Sequence, residues 1–326
     1  MQWSDLNLSH VFDAAERVKP LVRHTLLAPA EPLAEEVGAT AVHLKLESLQ
    51  NTGAFKVRGA SNRILSLTEE ERANGVITFS TGNHGKAVAY VAGRTGIPAV
   101  VCVSTHVPGY RVEMIRRLGA EVVVKGDSQD EAEEEYNRIL TERGMFPVVP
   151  FDDPFVVAGQ GTIALEMLRD RPDLDTILVP LSGGGLLAGV AMAAKLIKPT
   201  IRMIGVSIER SPAMLKSLEA GKPVVVQEQD TLADSLLGGI GLENRYTFPL
   251  IRQYVDEHVV VDEPEIEQAM FYAMHHHSLV VEGGAAVGIA ALRSGKVRAG
   301  GERVGVVVSG ASVEPAQYVS VIQKFL

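Results

Sequence analysis

Lys56 lies in the stretch NTGAFKVRGA, with Phe55 before it, Val57 and Arg58 after it, and glycines at 53 and 59. A lysine amine can join a carbonyl compound as a Schiff base if a pocket holds it and lets it become neutral. Alone, such a lysine reads as a surface charge. Residues 182–189, SGGGLLAG, follow the apolar run TILVPLS and open a helical pattern. Backbone N–H groups free of side chains at the positive end of a helix make a cradle for phosphate. Close packing of helix on strand is the plain alternative for Gly183, Gly184 and Gly185. The run fits neither G-x-x-x-x-G-K-[ST] nor G-x-G-x-x-G with a ribose-binding acid, which argues against nucleoside triphosphates and dinucleotides. Residues 80–85, STGNHG, end another apolar run, and Ser80, Thr81 and Asn83 offer hydroxyl and amide groups where helix N–H groups can hold a carboxylate. Helix capping by Thr81 or Asn83 explains them equally well. Residues 309–312, SGAS, close a third run.

These turns need elements to hold them. The Val- and Ile-rich runs AVHLKLE, GVITFS, AVVCVS, EVVVKG, TILVPLS, RMIGVSI, HVVVD and VGVVVSG are apolar almost throughout, as parallel strands covered on both faces are. Helical patterns separate them: HGKAVAYVAGRTG, DSQDEAEEEYNRILTERG, GTIALEMLRDRPD, SPAMLKSLEAG and EPEIEQAMFYAMHHHS. The architecture expected is α/β, in open, twisted, mostly parallel sheets. Residues 75–147 read as a compact block of three strands and two helices, and GMFPVVPFDDP as the way back. That predicts a small domain, 70–147, inserted in a discontinuous large one, 1–69 and 148–326. In open α/β sheets ligands sit outside the carboxyl ends of strands, so the three turns can line one crevice. A phosphate cradle, an amide-bearing loop, a hydroxyl-bearing strand end and a lysine beside an aromatic ring together point to pyridoxal phosphate.

Composition narrows the rest. The 326 residues carry a formal charge of −9, which argues against a nucleic-acid groove. No apolar run reaches about 18 residues, and the N-terminus lacks a basic region followed by an apolar one, so neither membrane spanning nor secretion is indicated. The one cysteine, Cys102, sits in AVVCVS and reads as a buried thiol in a reducing, cytoplasmic setting. The acids of DSQDEAEEEYNR, interleaved with Tyr136, Ile139 and Leu140, read as a solvated helix face. Three consecutive histidines, 275–277, point about 100° apart on a helix and cannot chelate one ion, so no metal site is expected.

Taken in order, KLESLQNTGAFKVRGA, STGNHGKAVAY, GQGTIALE, PLSGGGLLAG, TLADS and VVSGASVE resemble the fold type II pyridoxal-phosphate enzymes, in the threonine dehydratase and serine racemase group. AGQGTI, SIERSPAM and TLADSLLGGIGLENRYTF look most like the dehydratases associated with hydroxyectoine utilisation. The resemblance implies a tryptophan synthase β-like fold of two sheets with helices on both faces, and a homodimer. It makes Lys56 the Schiff-base lysine, Phe55 the ring packed on the pyridine, and Asn83 the contact to the cofactor 3′-oxygen. Gly183, Gly184, Gly185 and Leu186 become the phosphate donors and Ser309 the partner of the pyridine nitrogen. Ser80, Thr81, His84 and Gly85 become the loop for the substrate carboxylate. A neutral hydroxyl at Ser309 leaves the ring a weaker electron sink than a carboxylate would, which favours prompt loss of a β-substituent. The expected reaction is elimination of water from a β-hydroxy-α-amino acid, threonine- or serine-like or derived from hydroxyectoine. Lys56 removes the α-proton, and the released aminoacrylate hydrolyses to a 2-keto acid and ammonia.

Several positions depart from the group. Ala54 stands where many members carry serine. Thr81 replaces the serine that acts as second base in racemases, and its added methyl restricts the rotamer. Racemisation is therefore the alternative activity. Ser207 and Ala213 stand where metal-dependent relatives have acids, with Glu209 out of register. Ser235 replaces a usual glycine near the cofactor. Arg58 is expected in a structural ion pair; Glu282 either faces the cofactor edge or supplies charge at a helix N-terminus. No regulatory domain follows SVIQKFL, so feedback control through an appended domain is not expected.

Overall fold

The computed structural model describes residues 1–80, 82–126 and 129–326, the side chains of Gln129 and Asp130 aside. Ten strands are described: β1 (Leu27–Pro29), β2 (Ala41–Leu46), β3 (Val76–Phe79), β4 (Ala99–Val103), β5 (Glu121–Val124), β6 (Phe146–Pro147), β7 (Thr176–Pro180), β8 (Arg202–Ile208), β9 (Glu257–Val261) and β10 (Arg303–Val308). They form two sheets, a six-stranded one in the order β1-β2-β10-β7-β8-β9 and a four-stranded one in the order β5-β4-β3-β6. Every pairing is parallel except β1 with β2. The eight apolar runs of the sequence supply eight of these strands. All five residues of β4 and of β7 are buried, as strands covered on both faces require.

The four-stranded block departs from expectation. It holds four strands and three helices, because Phe146–Pro147 pairs in parallel with Val76 and Ile77 as β6, and the helices Asn83–Thr95, Gly109–Arg117 and Gln129–Arg143 connect the strands. Two residues, one of them proline, carry no period for a sequence pattern to reveal. A second difference is the helix Pro154–Asp170, which begins well before GTIALEMLRD. Asp153 accepts from the amides of Phe155 and Val156 at 2.8 and 2.9 Å and so caps its start. Its two glycines, unfavourable for a helix, let neighbours approach to backbone contact. A Cβ on Gly159 would fall 2.7 Å from the Arg58 carbonyl oxygen. The helix is thereby wedged between Lys56–Leu65 and Gly185–Ile197.

The registers align the carboxyl ends of the central strands. Val308 of β10 is level with Leu46 of β2, so the segment after β2 meets the turn after β10. There Ala54 forms an isolated bridge with Gly310, the Phe55 amide donates to the Ser309 carbonyl at 3.0 Å, and that of Ala311 to Gly53 at 2.9 Å. Chain geometry alone thus sets Lys56 beside Ser309. Cys102 is buried and unpaired in β4, and burial pushes its thiol up to about 11. The three histidines close the helix Glu263–His277, where His275 stacks on Phe271 and His276 packs on Tyr272. No helix among the described residues is long and apolar enough to cross a membrane.

Candidate active site

A cleft of about 950 Å³ opens where the carboxyl ends of the two sheets face each other. Its wall includes Phe55, Lys56, Ser80, Asn83 and His84, the glycine turn 183–186, Glu282 and Ser309. Gly85 lies behind this wall, where a Cβ would fall 2.1 Å from the Ser80 carbonyl oxygen. Thr81 lies outside the described residues.

Lys56 is the first residue of the helix Lys56–Leu65. Its Nζ donates to the Pro150 carbonyl at 2.9 Å and sits 5.2 Å from the Phe55 ring centre. Burial brings its pKa down to about 8, against the opposing pull of Glu282. About a tenth of the amine is then neutral at pH 7, enough for a nucleophile. Two residues on, Arg58 is fully buried, and all five of its N–H donors are filled. Nε and Nη2 hold Glu47 at 2.7 and 2.8 Å, Nη1 and Nη2 hold Glu166 at 2.7 and 2.8 Å, and Nη1 also reaches Thr162 at 3.0 Å. Lys45 completes a neutral quartet by donating to Glu166 at 2.5 Å. The structural role expected for Arg58 is the one observed: it locks the first turn of the Lys56 helix to β2 and to Pro154–Asp170.

The turn after β7 builds the cradle. Gly184 has φ of 90°, a left-handed conformation that leaves the N-terminus of Gly185–Ile197 without a side-chain cap. A Cβ on Gly183 would fall 2.5 Å from the Phe151 ring, and Thr247 Oγ1 donates to the Gly183 carbonyl at 2.8 Å. The amides of Gly183, Gly184, Gly185 and Leu186 have no partner among the described residues.

Across the cleft, Gly82 precedes the helix Asn83–Thr95 and no side chain caps it. Asn83 instead turns inward and donates Nδ2–H to both oxygens of Glu282 at 3.0 Å. Glu282 also accepts from the Ser312 amide at 3.0 Å, and burial raises its pKa. Glu282 therefore faces the cleft and does not cap its own helix. Ser235 crowds this edge, since a Cβ on Gly284 would fall 2.3 Å from Ser235 Oγ. His84 shares Nε2 with the Val148 carbonyl at 2.8 Å; burial and the nearby Lys56 charge push its pKa down to about 3. A neutral ring donating from Nε2 keeps Nδ1 as an acceptor. Ser309, buried at the end of β10, presents a hydroxyl without charge.

Two features call for a ligand. Asn83 Oδ1 is buried and has no hydrogen-bond partner, and the glycine turn, packed so closely on Phe151, Met214 and Ile251 that no Cβ fits, keeps free amide donors at the cleft. A phosphorylated aldehyde with a ring hydroxyl fits: anion to the cradle, hydroxyl to Asn83, ring nitrogen to Ser309, carbonyl to Lys56. Sequence reasoning assembled this set but left Glu282 undecided, and Lys86, Arg111 and Asp234, which also line the cleft, carried no local signature.

Known proteins agree with this fit. The family described as pyridoxal-phosphate dependent enzyme matches residues 18–310. The chain is 48% identical to a putative threonine dehydratase of Sinorhizobium fredii, over 98% of this chain and 96% of the relative. It is 40% identical to an L-threonine ammonia-lyase of Thermotoga maritima, over 98% and 79%. Maize serine racemase superposes with a TM-score of 0.91 at 34% identity, covering 98% of this chain and 97% of that one. The chain belongs to the pyridoxal-phosphate-dependent enzymes of fold type II, in the group of the threonine dehydratases and serine racemases.

Proposed function

We propose that this enzyme removes water from a β-hydroxy-α-amino acid, threonine- or serine-like or derived from hydroxyectoine, to yield a 2-keto acid and ammonia. The observation that carries the reading is an amine with a pKa of about 8 in one cleft with a neutral Ser309. The likeness to a dehydratase over nearly the whole chain supports it. Bound pyridoxal phosphate supplies the electron sink that acidifies the Cα–H bond.

The protein's own groups do the rest. Amides 183–186 hold the phosphate, and Asn83 and Phe55 fix the ring. Lys56 Nζ takes the proton from Cα, while Ser80, Thr81 and the turn before Gly85 hold the substrate carboxylate on the loop that carries His84, whose one N–H stays on the Val148 carbonyl. Neutral His84 adds no second positive charge beside the Lys56 amine. The β-hydroxyl departs with a proton as water, and one water returns on hydrolysis of the product amine, so the net change is keto acid plus ammonia. In this reading residues 1–69 and 148–326 form the cofactor-bearing domain and 70–147 the smaller one, in a cytoplasmic homodimer.

The test is a keto-acid and ammonia assay across hydroxylated amino acids, with Lys56→Ala as control. Removing a positioned base costs about 10²–10⁴-fold in turnover. Equal product from both proteins refutes the mechanism. The likeness to maize serine racemase favours a second reading, interconversion of amino-acid enantiomers with Thr81 as the other proton carrier. Under it Thr81→Ala depresses racemisation far more than elimination, and equal losses count against it.

A further inference from the structure

Lys56, the glycine cradle and the 80–85 loop account for one part of the cleft; the wall formed by Lys86 and Arg111 has no task in the scheme above. Lys86 stands one helical turn beyond Asn83, hence on the same face of its helix. Its Nζ lies 2.5 Å from Ser312 Oγ, a partner without charge. Arg111 belongs to the helix Gly109–Arg117 and donates Nε–H to the Tyr110 hydroxyl at 3.3 Å. Neither Nη1 nor Nη2 makes a hydrogen bond among the described residues. Asp234, on the opposite wall, stands 4.0 Å from Nη2, within Coulomb reach and beyond hydrogen-bond range.

The contrast with Arg58 is instructive, since one guanidinium is saturated and the other offers an open fork to a cavity. That fork is 28% exposed, so it is not simply dissolved in bulk water. Burial, and then the charge of Arg111, hold Lys86 below the usual lysine range against the pull of Glu282. Two cations this close on one wall repel each other, which is the condition an incoming anion relieves. A planar fork whose two terminal nitrogens are both free matches a carboxylate through paired hydrogen bonds.

We propose that Arg111, backed by Lys86, receives an anionic group on the substrate's side chain, a carboxylate by preference. The enzyme then favours a β-hydroxy-α-amino acid bearing a second acid over threonine or serine. This rests on the elimination reaction proposed above and specifies its substrate class. Asp234 acts as the resident competitor, near enough to hold the guanidinium in the cleft and too far to fill its donors.

The test has two arms on cofactor-loaded enzyme. In the first, kcat/KM for 3-hydroxyaspartate and for threonine is compared in wild type and Arg111→Met. The wild type is expected to prefer the diacid, and the variant to lose about 10- to 100-fold of that preference, chiefly in KM, as loss of a charge-assisted pair requires. In the second, succinate and butyrate, which differ only in the second carboxylate, are titrated against the cofactor absorption band. Arg111→Met should weaken succinate about 10-fold or more while butyrate stays within about 2-fold, and Asp234→Asn should tighten succinate. Overturning results are a preference and a succinate affinity that Arg111→Met leaves within about 2-fold, or weaker succinate binding in Asp234→Asn. If no hydroxylated amino acid, threonine included, yields keto acid, the elimination reading fails while the succinate arm still decides the role of Arg111.

Discussion

The Asn83 side chain spans the cleft to Glu282, its Nδ2 amide group donating to both carboxylate oxygens at 3.0 Å. One partner opens a helix of the four-stranded sheet and the other lies just before Gly283–Arg293, packed on the six-stranded sheet. Glu282 is buried, so its charge depends on the donors it keeps.

Asn83→Ala should cost about 1–3 kcal/mol at neutral pH, the penalty for leaving a buried acceptor short of a donor. The cost should depend on pH. Burial raises the Glu282 pKa above 4.5, so the penalty for its charge is present above the raised pKa and vanishes as the acid protonates below it. Urea unfolding should show a larger loss at pH 7.5 than at pH 4.5; a loss equal at both would separate Asn83 from the charge of Glu282.

Cofactor capture by the apoenzyme should follow the neutral fraction of Lys56. With a pKa of about 8, the rate of uptake should rise about tenfold per pH unit below that value and level off above it. Stopped-flow absorbance reads this directly. The same shift makes the apoprotein gain stability as pH rises from about 8 toward 10.5, because the unfolded lysine keeps a proton there that the folded one lacks. Uptake that climbs unchanged to pH 10 would contradict the lowered pKa.

Gly184→Ala forces a Cβ onto a residue at φ of 90°, about 1–2 kcal/mol of backbone strain. Relaxing that strain swings the turn's amides away from the phosphate. The affinity for pyridoxal phosphate should fall about 10-fold, while that for unphosphorylated pyridoxal changes far less. Equilibrium dialysis of both compounds tests this, and equal losses would place the defect elsewhere.

Arg58→Met strands the buried carboxylate of Glu47 and the partly buried one of Glu166, and should destabilise the fold by about 3–5 kcal/mol. Arg58→Lys restores the charge without the fork and should recover only part of this in guanidinium unfolding.

Much of the site was legible because its chemistry is local. The run 183–186 needs its glycines within four consecutive residues, and Lys56, by itself an ordinary surface charge, gains its meaning from that run and the turns at 80–85 and 309–312. Strands buried on both faces leave unbroken Val and Ile runs, so eight of the ten described could be marked. What escaped depends on distant partners. Strand β1 exists because Leu27 finds Lys45, and β6 because Phe146 finds Val76. The helix Pro154–Asp170 survives two glycines through tertiary packing alone. Arg111 and Asp234 stand 123 positions apart in the chain, and only folding brings them to one cleft.

The quartet of Arg58, Glu47, Glu166 and Lys45 sums to zero charge through contacts of 2.5 to 2.7 Å. At Lys56 its members therefore cancel, and the forces acting on that amine reduce to burial and Glu282. Mechanical anchorage and electrical influence are thus divided between different residues. A basic side chain two positions from the reactive nitrogen can grip the scaffold firmly while remaining almost silent to the proton that nitrogen must exchange.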